Sequence, residues 1–139
     1  MRFAGPAVAG KALVIDASVA VKASLVQDGF AVLAGRELHA PTLLWSEAGS
    51  ALAQLRRRGE ISDQEARQAF QRLLAASLTV HASSELVSDA LELARTLGWA
   101  RTYDAEYVVL ARSLNAGLLT LDARLASGIS HLVEVVAAR

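Results

Sequence analysis

Four acidic residues of the 139-residue chain stand out for what surrounds them: Asp16, Glu47, Asp104 and Asp122. Asp16 and Asp122 each close a short apolar run, Leu13-Val14-Ile15 and Leu118-Leu119-Thr120-Leu121. Glu47 lies in Leu43-Leu44-Trp45-Ser46-Glu47-Ala48, a stretch too apolar for an ordinary solvated helix face. A carboxylate buried there needs a partner or a metal. Asp104 has the weakest local case, because an acid in the first turn of a helix already suits the helix dipole. Strand-end aspartates also serve as turn formers, so position alone leaves a plain structural role open. If the four converge, mutual repulsion raises their pKa values until cations neutralise the cluster. Hard oxygen donors, with no cysteine in the chain and no histidine near these positions, select Mg²⁺ or Mn²⁺ over zinc. Such ions activate a water, hold it in line with a phosphodiester and stabilise the leaving oxygen. The chemistry implied is phosphodiester hydrolysis.

The elements that must position these acids follow from periodicity. Leu13–Ile15 reads as a buried strand, with Ser18 placed to cap the helix after it through its hydroxyl. A second helical stretch is expected over 30–38, then a brief extended piece over 38–40 stopped by Pro41. Leu43, Leu44, Ala48, Leu52 and Leu55 recur at helical spacing within 42–58, and Gly59 is a natural stop. Ser62 and Glu65 form a capping-box pattern that opens a helix to about Ala76. A strand over 78–80 follows, then a helix over 85–97 closed by Gly98, and a helix from Tyr103 capped by Thr102. A strand over 118–121, a short helical turn and a last strand over 132–136 complete the chain. Short apolar strands alternating with amphipathic helices predict a parallel sheet covered on both faces. Ligands of such sheets bind at the carboxyl ends of the strands, where Asp16 and Asp122 fall.

Bulk properties narrow the class. The length suits one compact domain, expected over 12–139, with a loose leader over 1–11 that is small and Gly/Pro-containing. Hydrophobic residues make up 53% and aromatic residues 5%, so the core is built from Ala, Val, Leu and Ile. Basic and acidic residues balance at 14 each, so nucleic acid would have to be met by a local patch. The absence of cysteine excludes disulfides and thiolate metal sites and fits a reducing cytoplasm. The apolar stretch 12–26 carries Asp16 and Lys22, which argues against a bilayer span and for a soluble protein.

Four motifs together resemble the PIN-domain family, with its VapC-type toxins the nearest match. They are Val14-Ile15-Asp16-Ala17-Ser18-Val19-Ala20-Val21-Lys22, Pro41-x-x-Leu44-x-x-Glu47, Thr102-Tyr103-Asp104-Ala105 and Leu118-Leu119-Thr120-Leu121-Asp122-x-x-Leu125. Each motif alone is weak; all four in order span nearly the whole chain. The resemblance implies a three-layer α/β/α sandwich with a central parallel sheet and an acidic pocket for Mg²⁺ or Mn²⁺. Asp16, Glu47, Asp104 and Asp122 match the family's catalytic, metal-binding quartet. Ser18 and Thr120 match its supporting hydroxyls, which would orient a carboxylate or a water behind the metal. It further implies cleavage of RNA, a cognate antitoxin and a homodimer. Two departures are visible: Ala23 stands where many relatives carry an aromatic residue, and the leader before the first strand is longer.

Other features are weaker. Arg56-Arg57-Arg58 serves equally as helix-end cations or as a phosphate patch. Lys22 and Arg101 are candidates to approach a substrate, although most lone basic residues only solubilise a surface. His39, His81 and His131 lie away from the motifs, and no Gly-x-Ser-x-Gly elbow exists to support a triad. Trp45 and Trp99 read as core or interface residues rather than base-stacking platforms; Tyr103 and Tyr107, which flank Asp104, read first as core, with packing beside the pocket as the alternative. Two other classes compete with the nuclease. A non-catalytic PIN-like binding or scaffold protein would be marked by lost acids, and all four are present. A phosphoacceptor receiver domain would need an acidic pair after the first strand and a late lysine, whereas the only lysines are Lys11 and Lys22.

Overall fold

The computed structural model describes residues 3–4 and 11–138. Six strands form one sheet: β1 (Phe3–Ala4), β2 (Ala12–Ile15), β3 (Glu37–Pro41), β4 (Leu78–His81), β5 (Gly117–Thr120) and β6 (Val135–Ala138). Their spatial order is β1-β6-β5-β2-β3-β4, with β1 antiparallel to β6 and every other pairing parallel. The helices are α1 (Ala17–Ser24), α2 (Leu43–Arg57), α3 (Asp63–Ala75), α4 (Ser84–Leu97), α5 (Tyr103–Ser113) and α6 (Ala123–Ile129).

Leu13, Val14 and Ile15 are consecutive in β2 and all fully buried. Successive strand residues point to opposite faces, so both faces of the sheet must be covered. Helix α5, backed by α4, packs on β2, β3 and β5; α1 packs with α2 and α3 and reaches β5; α6 lies on β5 and β6. The result is the expected three-layer α/β/α sandwich around a parallel sheet. Strand β2 is central, with β3 on one side and β5 on the other. The chain leaves β2 for β3 and later returns to β5, which makes the β2/β5 crevice a topological switch point where α/β sheets bind ligands.

Several local expectations hold closely. Ser62 accepts from the Glu65 N–H while Glu65 accepts from the Ser62 N–H, a complete capping box. Gly59 and Gly98 end their helices with φ of +74° and +71°, a backbone region that glycine enters without penalty.

Other expectations need correction. No α-helix spans 30–38: a single 3-10 turn covers Gly29–Leu33 and β3 already begins at Glu37. Gly35, at φ +84°, breaks the helix, and pairing with β2 then holds the segment extended. A side chain at Gly29 would sit 1.9 Å from the Ala23 carbonyl oxygen, so the turn lies directly on the end of α1. β3 ends at Pro41, as expected, but starts one residue earlier than expected and includes the proline, and the last strand runs later than expected, over Val135–Ala138. Within the expected leader, Phe3 pairs with Ala138 and Ala4 with Ala137. Residues 1–2 and 5–10 of that leader lie outside the described residues.

Candidate active site

Asp16 leaves the end of β2 and is itself the N-cap of α1, the role the sequence had suggested for Ser18. Its Oδ1 accepts from the Val19 N–H at 3.1 Å and from the Ser18 hydroxyl at 2.5 Å, and its Oδ2 accepts from the Thr120 hydroxyl. Ser18 Oγ in turn accepts from the Leu121 N–H at 3.1 Å, and Thr120 Oγ1 from the Asp122 N–H at 2.9 Å. Two hydroxyls thus tie the exit of β2 to the exit of β5. Asp122 caps α6, its Oδ1 accepting from the N–H groups of Arg124 and Leu125 at 2.9 and 3.1 Å. Ser18 and Thr120 therefore hold Asp16 and the two strand exits in one connected network.

The other two acids arrive from helices. Glu47, half-buried on α2, accepts at Oε1 from the Tyr107 hydroxyl at 2.6 Å. Asp104, in the first turn of α5, is exposed, and no hydrogen bond to its carboxylate occurs among the described residues. Thr102 does not cap α5 with its side chain; its hydroxyl donates to the buried Glu106 at 3.3 Å.

Electrostatics link all four positions. Burial pushes the Asp16 carboxyl up, against the pull of its Ser18, Thr120 and Val19 donors, and Asp122 pushes it further. Burial also raises Glu47, opposed by the Tyr107 hydroxyl and reinforced by Asp104 and Asp16. Asp104, exposed as a residue but with its carboxylate partly desolvated, rises through that desolvation and then through the charges of Asp122 and Asp16. Tyr107 is driven far up by burial and by Glu47, so its hydroxyl remains a donor. Among the described residues none of the four acids forms an ion pair.

No three His, Asp or Glu side chains among the described residues lie close enough to form a ready-made metal cage. The donor set nonetheless fits a hard divalent cation: only carboxylate oxygens, with Asp16, Glu47 and Asp104 raised and no ion pair to any of the four among the described residues. Glu47 Oε2, Asp122 Oδ2 and both Asp104 oxygens carry no hydrogen bond among the described residues. Asp104 lines two adjoining clefts, one shared with Glu47 and the other with Asp122.

With that arrangement in place, sequence comparison is decisive: the PIN domain family model matches residues 13–128. The chain belongs to the PIN-domain family. It is 36% identical over 115 residues to Ribonuclease VapC9 of Mycobacterium tuberculosis, covering 81% of this chain and 87% of that one. It is 37% identical over 129 residues to Ribonuclease VapC3 of Pyrobaculum aerophilum, covering 87% and 97%. The crystal structure of PAE2754 from Pyrobaculum aerophilum superposes with a TM-score of 0.71 at 24% identity, covering 88% of this PIN domain and 82% of that chain. Within the family this PIN domain falls with the VapC-type proteins.

Trp99 and Arg124 carry no site expectation from the sequence, whereas Tyr107 takes both its core role and the alternative place beside the candidate pocket. Tyr107 is fully buried, as a core residue should be, yet its hydroxyl ends on Glu47. Its position three residues after Asp104 puts the two on neighbouring faces of one helix, a signal available from spacing. Trp99 and Arg124 line both clefts beside Asp104. Arg124 is two residues after Asp122, but nothing in the sequence marks Trp99. Lys22 is exposed on α1 and lines neither cleft. His39 and His81 pair with each other across β3 and β4 at 2.9 Å, apart from the acids.

Proposed function

We propose that this chain is the toxin of a toxin–antitoxin pair, an endoribonuclease that hydrolyses RNA phosphodiester bonds with Mg²⁺ or Mn²⁺ held by Asp16, Glu47, Asp104 and Asp122. The observation that carries the reading is a buried, cation-free Asp16 at the switch-point crevice, electrostatically coupled to acids from two other elements. Family membership and the ribonuclease names of the relatives support RNA as the substrate.

In this reading Asp16 is the fixed member, its orientation set by Ser18, Thr120 and the Val19 N–H. Glu47 is steadied by Tyr107 on one oxygen, and the other, without a hydrogen bond among the described residues, is free to take a ligand. Asp104 and Asp122 supply the outer side. When bound, the divalent ion offsets the four negative charges, lowers the pKa of a water and stabilises the departing oxygen. The nuclease unit covers 12–139, its antitoxin is encoded alongside, and the active species is a homodimer in the cytoplasm. No helix among the described residues is long and apolar enough to cross a membrane.

The test is RNA cleavage by the purified protein with Mg²⁺ or Mn²⁺, with EDTA, and with Asp16→Asn. Cleavage should stop in EDTA and return with Mn²⁺. Asp16→Asn should cost at least about 100-fold, the upper range for changes behind a metal ligand. Equal rates for parent and Asp16→Asn would refute the acidic site. Calorimetry that detects no Mn²⁺ binding at millimolar metal would favour a non-catalytic PIN-like scaffold instead.

A further inference from the structure

The acids are bordered by side chains of the opposite character. The cleft holding Glu47 and Asp104 has a volume of about 490 Å³ and is also lined by Trp99, Arg101, Tyr103 and Arg124. That volume lies in the range of about 300–1,000 Å³ typical of small-ligand sites. The neighbouring cleft of about 280 Å³ shares Trp99, Asp104 and Arg124 and reaches Asp122. Tyr103 is 48% exposed, an unusual state for a large ring beside a candidate catalytic acid. Neither Arg101 nor Arg124 forms an ion pair among the described residues, although carboxylates line the same cleft.

The loop that presents these groups is firmly shaped. Gly98 ends α4 in a left-handed conformation, and the Trp99 N–H reaches back to the Ala94 carbonyl at 2.8 Å. This 6→1 closure fixes where the chain leaves the helix. Trp99 is thereby held half-buried at the cleft, four residues before Tyr103 opens α5. The chain has no net charge, so attraction for a polyanion has to come from local cations such as these.

We propose that this cleft is a nucleotide subsite for single-stranded RNA. Tyr103, with Trp99 beside it, stacks an unpaired base next to the bond to be cut, and Arg101 and Arg124 hold the flanking phosphates. Aromatic faces accept any base, so the subsite selects for unstacked, single-stranded segments rather than for a particular letter. Arginine suits the phosphate role because its planar fork donates two parallel hydrogen bonds. The proposal rests on the nuclease reading for its substrate class, but its test does not depend on cleavage.

The experiment uses a short single-stranded RNA carrying one 2-aminopurine, bound in EDTA to the Asp16→Asn protein. Binding should quench the 2-aminopurine emission. Tyr103→Ala should abolish the quenching and weaken binding about 10-fold, whereas Tyr103→Phe should keep both. Arg101→Ala and Arg124→Ala should each lower the slope of log affinity against log salt by about 0.7, the release expected for one single-strand phosphate. Unchanged affinity, quenching and salt slope in Tyr103→Ala and Arg124→Ala would overturn the subsite. A parallel cleavage assay separates the two ideas. If Asp16→Asn cuts as fast as the parent while Tyr103 controls quenching, the nuclease mechanism fails and the subsite stands. If cutting depends on Asp16 but the Tyr103 and Arg124 variants bind as the parent does, only the subsite fails.

Discussion

The floor and the rim of the acidic site are built on opposite principles. On the floor, Asp16 is 6% exposed and both of its oxygens are occupied by donors from α1 and β5. On the rim, Asp104 is exposed and its carboxylate meets no donor among the described residues. The floor is fixed by the fold itself, since the hydroxyls that hold Asp16 also bind the backbone of Leu121 and Asp122. The rim is held in place only by the backbone of α5. A preorganised group beside an unsatisfied one is what a site needs to order a ligand without having first to release a partner. The two regions should therefore answer differently to mutation: floor changes should damage fold and function together, and rim changes should damage function alone.

Thr120→Val is the strongest test on the floor. Valine keeps the shape but removes a donor to Asp16 and the acceptor for the Asp122 N–H. The buried Asp16 Oδ2 left without that donor costs about 1–3 kcal/mol, and loss of a group orienting a ligand typically costs 10–100-fold. Urea unfolding and RNA cleavage should both register these losses. Normal stability with reduced cutting would show that the network is functional only, and the floor would then be no different from the rim.

How much of this was legible in the sequence follows the same division. The floor announced itself, because a β-branched run ending in Asp is visible as a string, and the capping box at Ser62 and the stops at Gly59 and Gly98 are equally local. The misassigned cap shows the limit. Ser18 has the right type for an N-cap, but the helix starts two residues earlier and Asp16 takes the role, leaving Ser18 to bridge to β5. That bridge spans 103 residues of sequence and has no local signature. The segment after Gly29 was read as helix on propensity, and strand pairing with β2 overrode it. Trp99 was hidden, and Tyr107 only half legible, for a different reason. Apolar bodies with one polar atom look like core in a sequence, and only the fold shows where the polar atom points.

Tyr107→Phe probes the wall between floor and rim and should have an intermediate effect. The Tyr107 hydroxyl holds the Glu47 pKa down against burial and neighbouring charge. Without it the Glu47 carboxyl rises further above its ordinary value of 4.5, so a larger fraction is protonated on the acid side. Cleavage near neutral pH should fall about 10-fold, and the acid limb of the rate profile should move to higher pH. An unshifted acid limb would mean that Tyr107 only fills space.

The smallest effect, and the sharpest contrast with Thr120→Val, belongs to Asp104→Asn on the metal-free protein. Burial, then Asp122 and Asp16, raise the Asp104 carboxyl above its ordinary 3.8. The folded state therefore holds that proton more tightly than the unfolded state does. The stability this confers is fully present below pH 3.8 and is lost as pH rises through the folded pKa. At neutral pH the ionised Asp104 thus works against folding, and asparagine removes the charge without orphaning any hydrogen bond described for it. Asp104→Asn should melt higher than the parent at pH 7, with the difference closing as pH falls toward 4. Solvent screens so exposed a group, so the gain should stay below about 1 kcal/mol, no more than about 3–4 °C for a chain of this size. Saturating Mg²⁺ should reverse the order, because a ligand that binds only the folded state stabilises the protein that keeps its ligating acid. A lower melting point for metal-free Asp104→Asn at pH 7 would place Asp104 with Asp16 among the groups that hold the fold together, and the distinction between floor and rim would fail.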